Sequence, residues 1–554
     1  MARTPLLKVI EQLFSEHSEA DARGLPVHAV REGRAEAHGR QTNLSRRAIL
    51  AGATAAGVGV MLPRTARAAG TRVAIVGAGI SGLSAAMTLA DNGVASTVYE
   101  SSGRIGGRMF SNSTGYWSDS QVSEWCGELI DTGHVTIQAL ATRFNLALDD
   151  QLGAEPSGST ETYYFAGKYY SKTQADADFG PVYTALQADR KAAGYPTLYN
   201  SSTAAGRVLD AMTIYDWIES RVAGGHASPM GQLLDVAYNI EYGADTRDQS
   251  SLNLVYLLGY QPNSARFAVF GKSDEHYRIR GGNQQLPLAI AASLANPVQT
   301  GMRLTAVATN ADGTSTLTFR SGMSTSTVVA DHVILTLPFA VLRSLDYSKA
   351  NFDALKVRAI TELGRGHNGK LQLQFTSRLW NTHGPWGVST GTSYVGTGYQ
   401  VSWESTRGQP GQSAILNDYT GGSVTDSMSL RTAFAPVSNA QVRSDAQRFL
   451  TQVEPVFPGL TALWNGKATS SLPHLDPNFG CSYSYWRAGQ YQAFSGYEKV
   501  RQGNVYFAGE HCSTDFQGFM EGGAAEGIRA AKEVLTSMGK KAANLIVPAR
   551  SLMG

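Results

Sequence analysis

Apolar and polar positions follow two patterns along this chain. VAIV (73–76) is an unbroken apolar run. A glycine-rich turn follows, then LSAAMTLADNG (83–93), where apolar residues recur every three or four positions. That order predicts a buried strand, a tight turn and an amphipathic helix. STVYE (96–100) predicts a second strand. NVYFAGE (504–510) predicts another, followed by a loop and a helix starting near Phe519. Elsewhere the period is two. NGKLQLQF (368–375) reads as a half-buried strand, with Leu371, Leu373 and Phe375 on one face and Lys370, Gln372 and Gln374 on the other. DVAYNIEYGADTRDQS (235–250) predicts a helix with Glu241 and Asp245 one turn apart, beside Tyr238 and Tyr242. Strands alternating with helices place the chain in the α/β class, with a Rossmann-like domain at its start.

Length and charge refine this picture. A chain of 554 residues exceeds one compact core, so two domains are expected. The net charge of +2 divides into +4 over residues 1–68 and −2 over the rest, and nothing in that balance points to nucleic acid. Cys126, Cys481 and Cys512 show no metal-ligand spacing and do not make a disulfide framework. At the amino terminus, SRRAIL (45–50) sets a twin arginine before a Gly/Ala-rich apolar run, and Ala66, Arg67 and Ala68 form an A-x-A cleavage signal. Residues 1–68 are therefore expected to be a twin-arginine signal peptide, exporting the folded protein to the periplasm or beyond. No stretch reaches the length of a membrane span.

The chemistry-bearing motifs sit at the two ends. Gly77, Gly79 and Gly82 form G-x-G-x-x-G between strand and helix. The first allows the tight turn, the second lets a pyrophosphate approach the backbone, and the third lets helix and strand pack closely. Glu100 lies 18 residues beyond Gly82, at the end of the second strand, where an acid can hold a ribose hydroxyl. GRIGGRMF (103–110) follows, offering Gly107 and the forked donor Arg108. Near the other end, Gly509 and Glu510 close a strand, and Gly518, Gly522 and Gly523 flank a helix start that a flat ring could approach. Glu521 and these glycines also suit a helix cap.

VGAGISGLSAA, E-x-x-x-R-I-G-G-R and FAGEHCSTDFQGFMEGG together resemble the flavin-containing amine oxidase family, which comprises monoamine, polyamine and L-amino acid oxidases. RIRGGNQQLP (278–287) and VILTLPFAVL (333–342) match its central segments, so the resemblance runs over roughly residues 70–540. It implies a FAD-binding domain of the glutathione-reductase-like kind in three pieces, 69–150, 271–345 and 475–540. An α+β substrate domain would be inserted as 151–270 and 346–474, with 541–554 a tail. It implies FAD held without a covalent bond by Gly77, Gly79, Gly82, Glu100, Gly107, Arg108, Gly127, Leu129, Gly509, Glu510 and Met520. In the family a lysine after a glycine-rich approach holds a water near flavin N5; Lys370 matches it, with Trp380 downstream. The implied reaction is hydride transfer from a C–H beside a neutral amine, imine hydrolysis, and reoxidation by dioxygen to hydrogen peroxide. No metal is required. Small-molecule substrate and dioxygen are the expected partners, with a homodimer admitted.

Substrate class is where the chain departs from family patterns. EWCGELIDTGH (124–134) carries Leu129 where many L-amino acid oxidases hold a carboxylate-clamping arginine. Arg280, beside Gly281 and Gly282, is a candidate replacement and equally suits a strand face. The two aromatic walls of monoamine oxidases correspond here to Ser482, with Tyr483, Tyr485 and Trp486 close by, and to Phe519. Cys481 falls where monoamine oxidases attach FAD through sulfur. Glu128, in an apolar run, must bond the cofactor, the backbone or a basic substrate. The GCSYSYW and CGELIDTGH stretches look closest to bacterial oxidases of amino acids. The expectation is an oxidase of L-amino acids with broad or basic preference, contacting Glu128, Ser482, Trp486 and Phe519. A mono- or polyamine oxidase and a quinone-linked dehydrogenase are the alternatives.

Overall fold

The computed structural model describes residues 71–261 and 267–542. The signal-peptide expectation for residues 1–68 lies outside the described residues, as does most of the tail.

Four parallel strands form the first sheet, in the order Ser96–Tyr99, Val73–Val76, His332–Leu335, Val505–Phe507. Its central strands, VAIV and HVIL, are apolar and buried apart from His332, because both faces are covered. The helices Ile80–Asp91 and Met520–Ser537 pack against it and each other, with Ala85, Ala86 and Leu89 meeting Ala530, Ala531 and Val534. The two helices touch at Gly527, where a β-carbon would come within 2.0 Å of the Ser81 carbonyl oxygen. Three sequence-distant pieces thus build one sheet. A smaller sheet of four strands extends this half of the molecule. Its strand Asp346–Lys349 pairs with Arg303–Thr309, so the chain leaves this layer after residue 345 rather than at it.

The second large sheet has eight strands, in the order Phe434–Pro436, Trp464–Ser471, Asn368–Phe375, Ala414–Gly421, Val401–Glu404, Ser389–Val395, Thr160–Phe165, Lys168–Tyr170. Every neighbouring pair is antiparallel except Ser389–Val395 with Thr160–Phe165. The strand Asn368–Phe375 corrects the half-buried expectation, because all eight of its residues are buried. Leu371, Leu373 and Phe375 pack with Trp380 and Phe449. The opposite, polar face meets the segment 118–128. Gln372 accepts from Ser123 Oγ at 2.8 Å, and Gln374 accepts from the Ser118 amide at 3.0 Å. Alternation marked the polar face correctly, but this face is covered by matching polar groups rather than by water.

The helix carrying Glu241 runs from Pro229 to Tyr242. Ser228 caps its start, Pro229 opens its first turn, and Gly243 ends it at φ 65°. Asp245 therefore lies off the helix, accepting from Ser423 and Asn239, and not one turn along the same face as Glu241.

Candidate active site

One large cavity opens between the two sheets, with about 2060 Å³ of unfilled space counting its mouth. Its first section is built by the glycine turn. Gly77 sits at φ 107°, and a β-carbon there would lie 2.4 Å from Thr336 Oγ1. Gly82 lies behind the wall, where a β-carbon would come within 2.0 Å of the Gly77 carbonyl oxygen. It is a packing glycine, and Gly77, Gly79 and Gly107 face the space. Gly79 precedes the helix Ile80–Asp91 without any side-chain cap, so first-turn N–H groups are free for an anion. Glu100 is buried at the same end. Its Oε1 accepts from Ser102 N and Oγ, at 2.8 and 2.9 Å, while Oε2 accepts only from the Ala78 amide at 2.9 Å. Oε2 keeps a lone pair for a hydroxyl. A cradle that any β-carbon would fill, an uncapped helix start and a half-occupied acid fit a dinucleotide.

Glu510, expected among the residues that hold FAD, is filled by donors from the protein. Oε1 accepts from Arg108 Nη1 at 3.0 Å and the Ser484 amide at 3.2 Å; Oε2 accepts from Ser484 Oγ at 2.8 Å and the Gly518 amide at 2.9 Å. Four donors fill a carboxylate. Burial pushes Glu510 up, but the Arg108 guanidinium and then His511 outweigh it and hold it below its ordinary value. Glu510 is a buried tie joining three distant segments at the cavity wall. Arg108 Nη1 also donates to the Ser482 carbonyl at 2.8 Å, so both N–H groups of that nitrogen are used within the protein. Glu521 does cap a helix, though not its own. Its two oxygens accept from the Thr136 and Ile137 amides, each at 2.9 Å, at the start of Val135–Arg143. Met520 packs on Gly127, leaving 3.1 Å from Sδ to where a β-carbon would stand.

Lys370 faces the cavity, which answers what the polar face of its strand is for. Its Nζ donates to Glu128 Oε2 at 2.7 Å, to the Cys126 carbonyl at 2.9 Å, and more weakly to the Glu124 carbonyl at 3.4 Å. Both partners are nearly inaccessible, at 6% and 3% of their side-chain surface. Burial pushes Glu128 up, yet Lys370 and then Arg278 outweigh burial and hold it below its ordinary value. Among the described residues Glu124 has no ion pair, and burial outweighs the Arg278 charge and its bonds from Ser111 and Asn283, carrying it up to about 7. The expectation that Glu128 bonds a cofactor, a backbone group or a substrate gives way to a side-chain partner, Lys370 itself.

Leu129, Ser482 and Phe519 also line the cavity. Trp486 does not. It is buried in the core, lies tilted against Tyr491 with ring centroids 4.4 Å apart, and donates to Glu498 Oε1 at 3.0 Å. Arg280 points outward, 68% exposed, and pairs with Asp149 at 2.7 Å, so it is no carboxylate clamp. Cys481 is buried behind the wall near the Phe479 carbonyl, and burial pushes its thiol up to about 11. The far wall comes from residues the sequence reading passed over: Glu275, Tyr394, Trp403, Tyr419 and Gln517. Tyr419 and Tyr483 touch through their hydroxyls at 3.1 Å, and Trp403 meets Tyr419 edge-on at 4.8 Å. Aromatic residues in period-two strands were the available signal; Glu275 and Gln517 lie in loops and carried none.

Comparison with known proteins agrees with this geometry. The flavin containing amine oxidoreductase model matches residues 80–535. A putative L-amino-acid oxidase, YobN, of Bacillus subtilis (strain 168) is 24% identical over 497 residues, covering 83% of this chain and 94% of its own. A flavin-containing amine oxidase of Danio rerio is 22% identical, covering 86% of this chain and 87% of its own. Among solved structures, cyclohexylamine oxidase from Brevibacterium oxydans IH-35A superposes with a TM-score of 0.71 at 20% identity, over 85% of this chain and all of that one. With the family model spanning most of its length and the motifs converging on one cavity, this chain belongs to the flavin-containing amine oxidoreductase family.

Proposed function

We propose that the chain is an oxidase of primary amines that uses non-covalently held FAD and dioxygen. One observation carries this reading. The basic residues lining the cavity are Arg104, Arg108 and Lys370, and each is already engaged. Arg104 donates to the Gly107 carbonyl at 2.7 Å and lies 3.9 Å over the Phe110 ring; Arg108 serves Glu510; Lys370 serves Glu128. A substrate carboxylate therefore meets one cation without an ion pair, Arg104, whose guanidinium is held by the Gly107 carbonyl and the Phe110 ring, while a cationic amine meets acids and aromatic rings.

Bound flavin supplies the two-electron oxidation of the amine and passes the electrons to dioxygen. The chain supplies the rest. The tyrosines and Trp403 exclude water and orient the amine. Lys370 has one weakly used N–H, the 3.4 Å one, which can turn to a water or to the reacting nitrogen. Glu128 fixes its position. Cys481 stands outside the wall, in keeping with a cofactor released on unfolding.

A second reading, oxidation of L-amino acids, draws on the likeness to the YobN protein. There the carboxylate would rest on Gln517 and the paired tyrosine hydroxyls. Peroxide release from the flavin-loaded protein decides between them. Amines turning over without the matching L-amino acids supports the proposal; the converse pattern replaces it. Export remains part of the proposal, and a mature amino terminus at Ala69 is its test.

A further inference from the structure

Among the described residues, the cavity wall formed by Ile240, Glu241, Tyr242, Phe270 and Glu275 together with residues of 392–419 holds two acids, Glu241 and Glu275, and no base. Glu241 is the next-to-last residue of the helix Pro229–Tyr242. Glu275 leads into the strand Tyr277–Ile279 from a left-handed backbone position, φ 51°. Among the described residues, neither carboxylate has a hydrogen-bond or ion-pair partner. Their electrostatic neighbours mostly share their sign. After burial, Glu275 and Asp131 push Glu241 well above its ordinary value. Burial and then Asp131 push Glu275 up to about 8; Arg407 opposes this only in part, being bound to Glu155. Both acids act on Tyr394 and Tyr419 of the same wall. A third group lacks a partner as well. Gln517 is 9% exposed and lines the cavity, and neither its amide nitrogen nor its oxygen is bonded. Half-buried acids and a buried amide without protein partners are costly to leave unpaired. A ligand bearing a cation with several N–H donors would satisfy all three.

Resting on the amine reading above, we propose that Glu241 and Glu275 hold the distal cationic group of a dibasic substrate, an α,ω-diamine or guanidino-amine, whose other amine is oxidised beside Lys370. The reacting amine is neutral and the distal group stays protonated. The acids thus fix which end of the molecule reaches the flavin, and Gln517 Oε1 can accept from the same chain of N–H groups.

The test compares peroxide release by the holoenzyme for putrescine against butylamine and for cadaverine against pentylamine. The wild type should favour each diamine by at least about tenfold in kcat/KM, chiefly through KM. Glu241→Gln and Glu275→Gln should each lower that ratio by about tenfold, with Glu241→Asp restoring part of it. A wild-type ratio near one, or ratios unchanged in both variants, overturns the inference. If a variant does not retain flavin, an anaerobic titration of the wild-type flavin spectrum decides: putrescine must bind at least about tenfold tighter than butylamine. If only L-amino acids are oxidised, the amine reading fails, and the ratio is taken instead for L-lysine against L-norleucine. A ratio near one there overturns the distal site too; a ratio above tenfold keeps it.

Discussion

Exchanging Lys370 for methionine keeps the length of the side chain and removes the ammonium that lies 2.7 Å from Glu128 Oε2. At that separation two unit charges attract by about 6 kcal/mol in a medium of effective dielectric constant ~20. Much of this offsets the desolvation of the two ions, so the intact pair is worth far less than the cost of breaking it. With Lys370 gone, Glu128 keeps its burial, the Arg278 charge and weaker donors, Ser405 and, each at 3.4 Å, Trp403 Nε1 and Asn417 Nδ2. We expect Lys370→Met to lose about 3–5 kcal/mol of stability. Adding Glu128→Gln removes the stranded charge, so the double variant should lose less than the sum of the singles, by about 2–3 kcal/mol. Urea unfolding of the four proteins measures that coupling. Its pH dependence follows from Glu128 being held below its ordinary value of 4.5 in the folded state. Such a group contributes stability above its unfolded value and loses it as pH falls through the folded value. The coupling should hold from about pH 8 to pH 5 and fade below about pH 4. Additive single losses, or a coupling that grows on acidification, would refute the pairing. In turnover, Lys370→Met should retain flavin and slow its reoxidation or product release, as stopped-flow absorbance would show.

Gly82→Ala puts a β-carbon 2.0 Å from the Gly77 carbonyl oxygen, so flavin occupancy after purification should fall at least about tenfold; a fully yellow protein would mean the turn can shift. Glu100→Ala should weaken flavin retention by about 1–3 kcal/mol, measured as flavin lost on dialysis, because it releases the Ser102 and Ala78 donors as well as the cofactor contact. Trp486→Phe should leave KM within about twofold while lowering the melting temperature, since the indole N–H serves Glu498 and not the cavity; a raised KM would place it at the substrate after all. Acid precipitation should leave flavin in the supernatant, and flavin in the pellet would overturn the placement of Cys481 behind the wall.

Local grammar made the dinucleotide section legible. The roles of Gly77, Gly79 and Gly82 are set within one turn by steric demands on those residues. Lys370 was legible as a face but not as a pair, because Glu128 lies 242 residues away and alternation reports polarity rather than exposure. The helix end after Tyr242 turned on one residue, Gly243, in a left-handed conformation, and with it Asp245 left the face it had been given. Trp486 was misread because an aromatic residue near a motif looks the same whether it faces ligand or core; only its partners Tyr491 and Glu498 distinguish the two. Glu275 and Gln517 sit in loops, where no period exists to reveal them.

The Arg108–Glu510 tie spans 402 residues of chain. A ribosome adding about 5–20 residues per second needs roughly 20–80 seconds to make the second partner after the first. During that interval the amino-terminal strand, turn and helix have no opposite wall, and the glycine cradle stands open. Flavin cannot be enclosed while the chain is being made; it must enter after residue 518 has left the ribosome. Any truncation before Val505 removes the lock as well as the last strand, so such shortened products should be colourless as well as inactive.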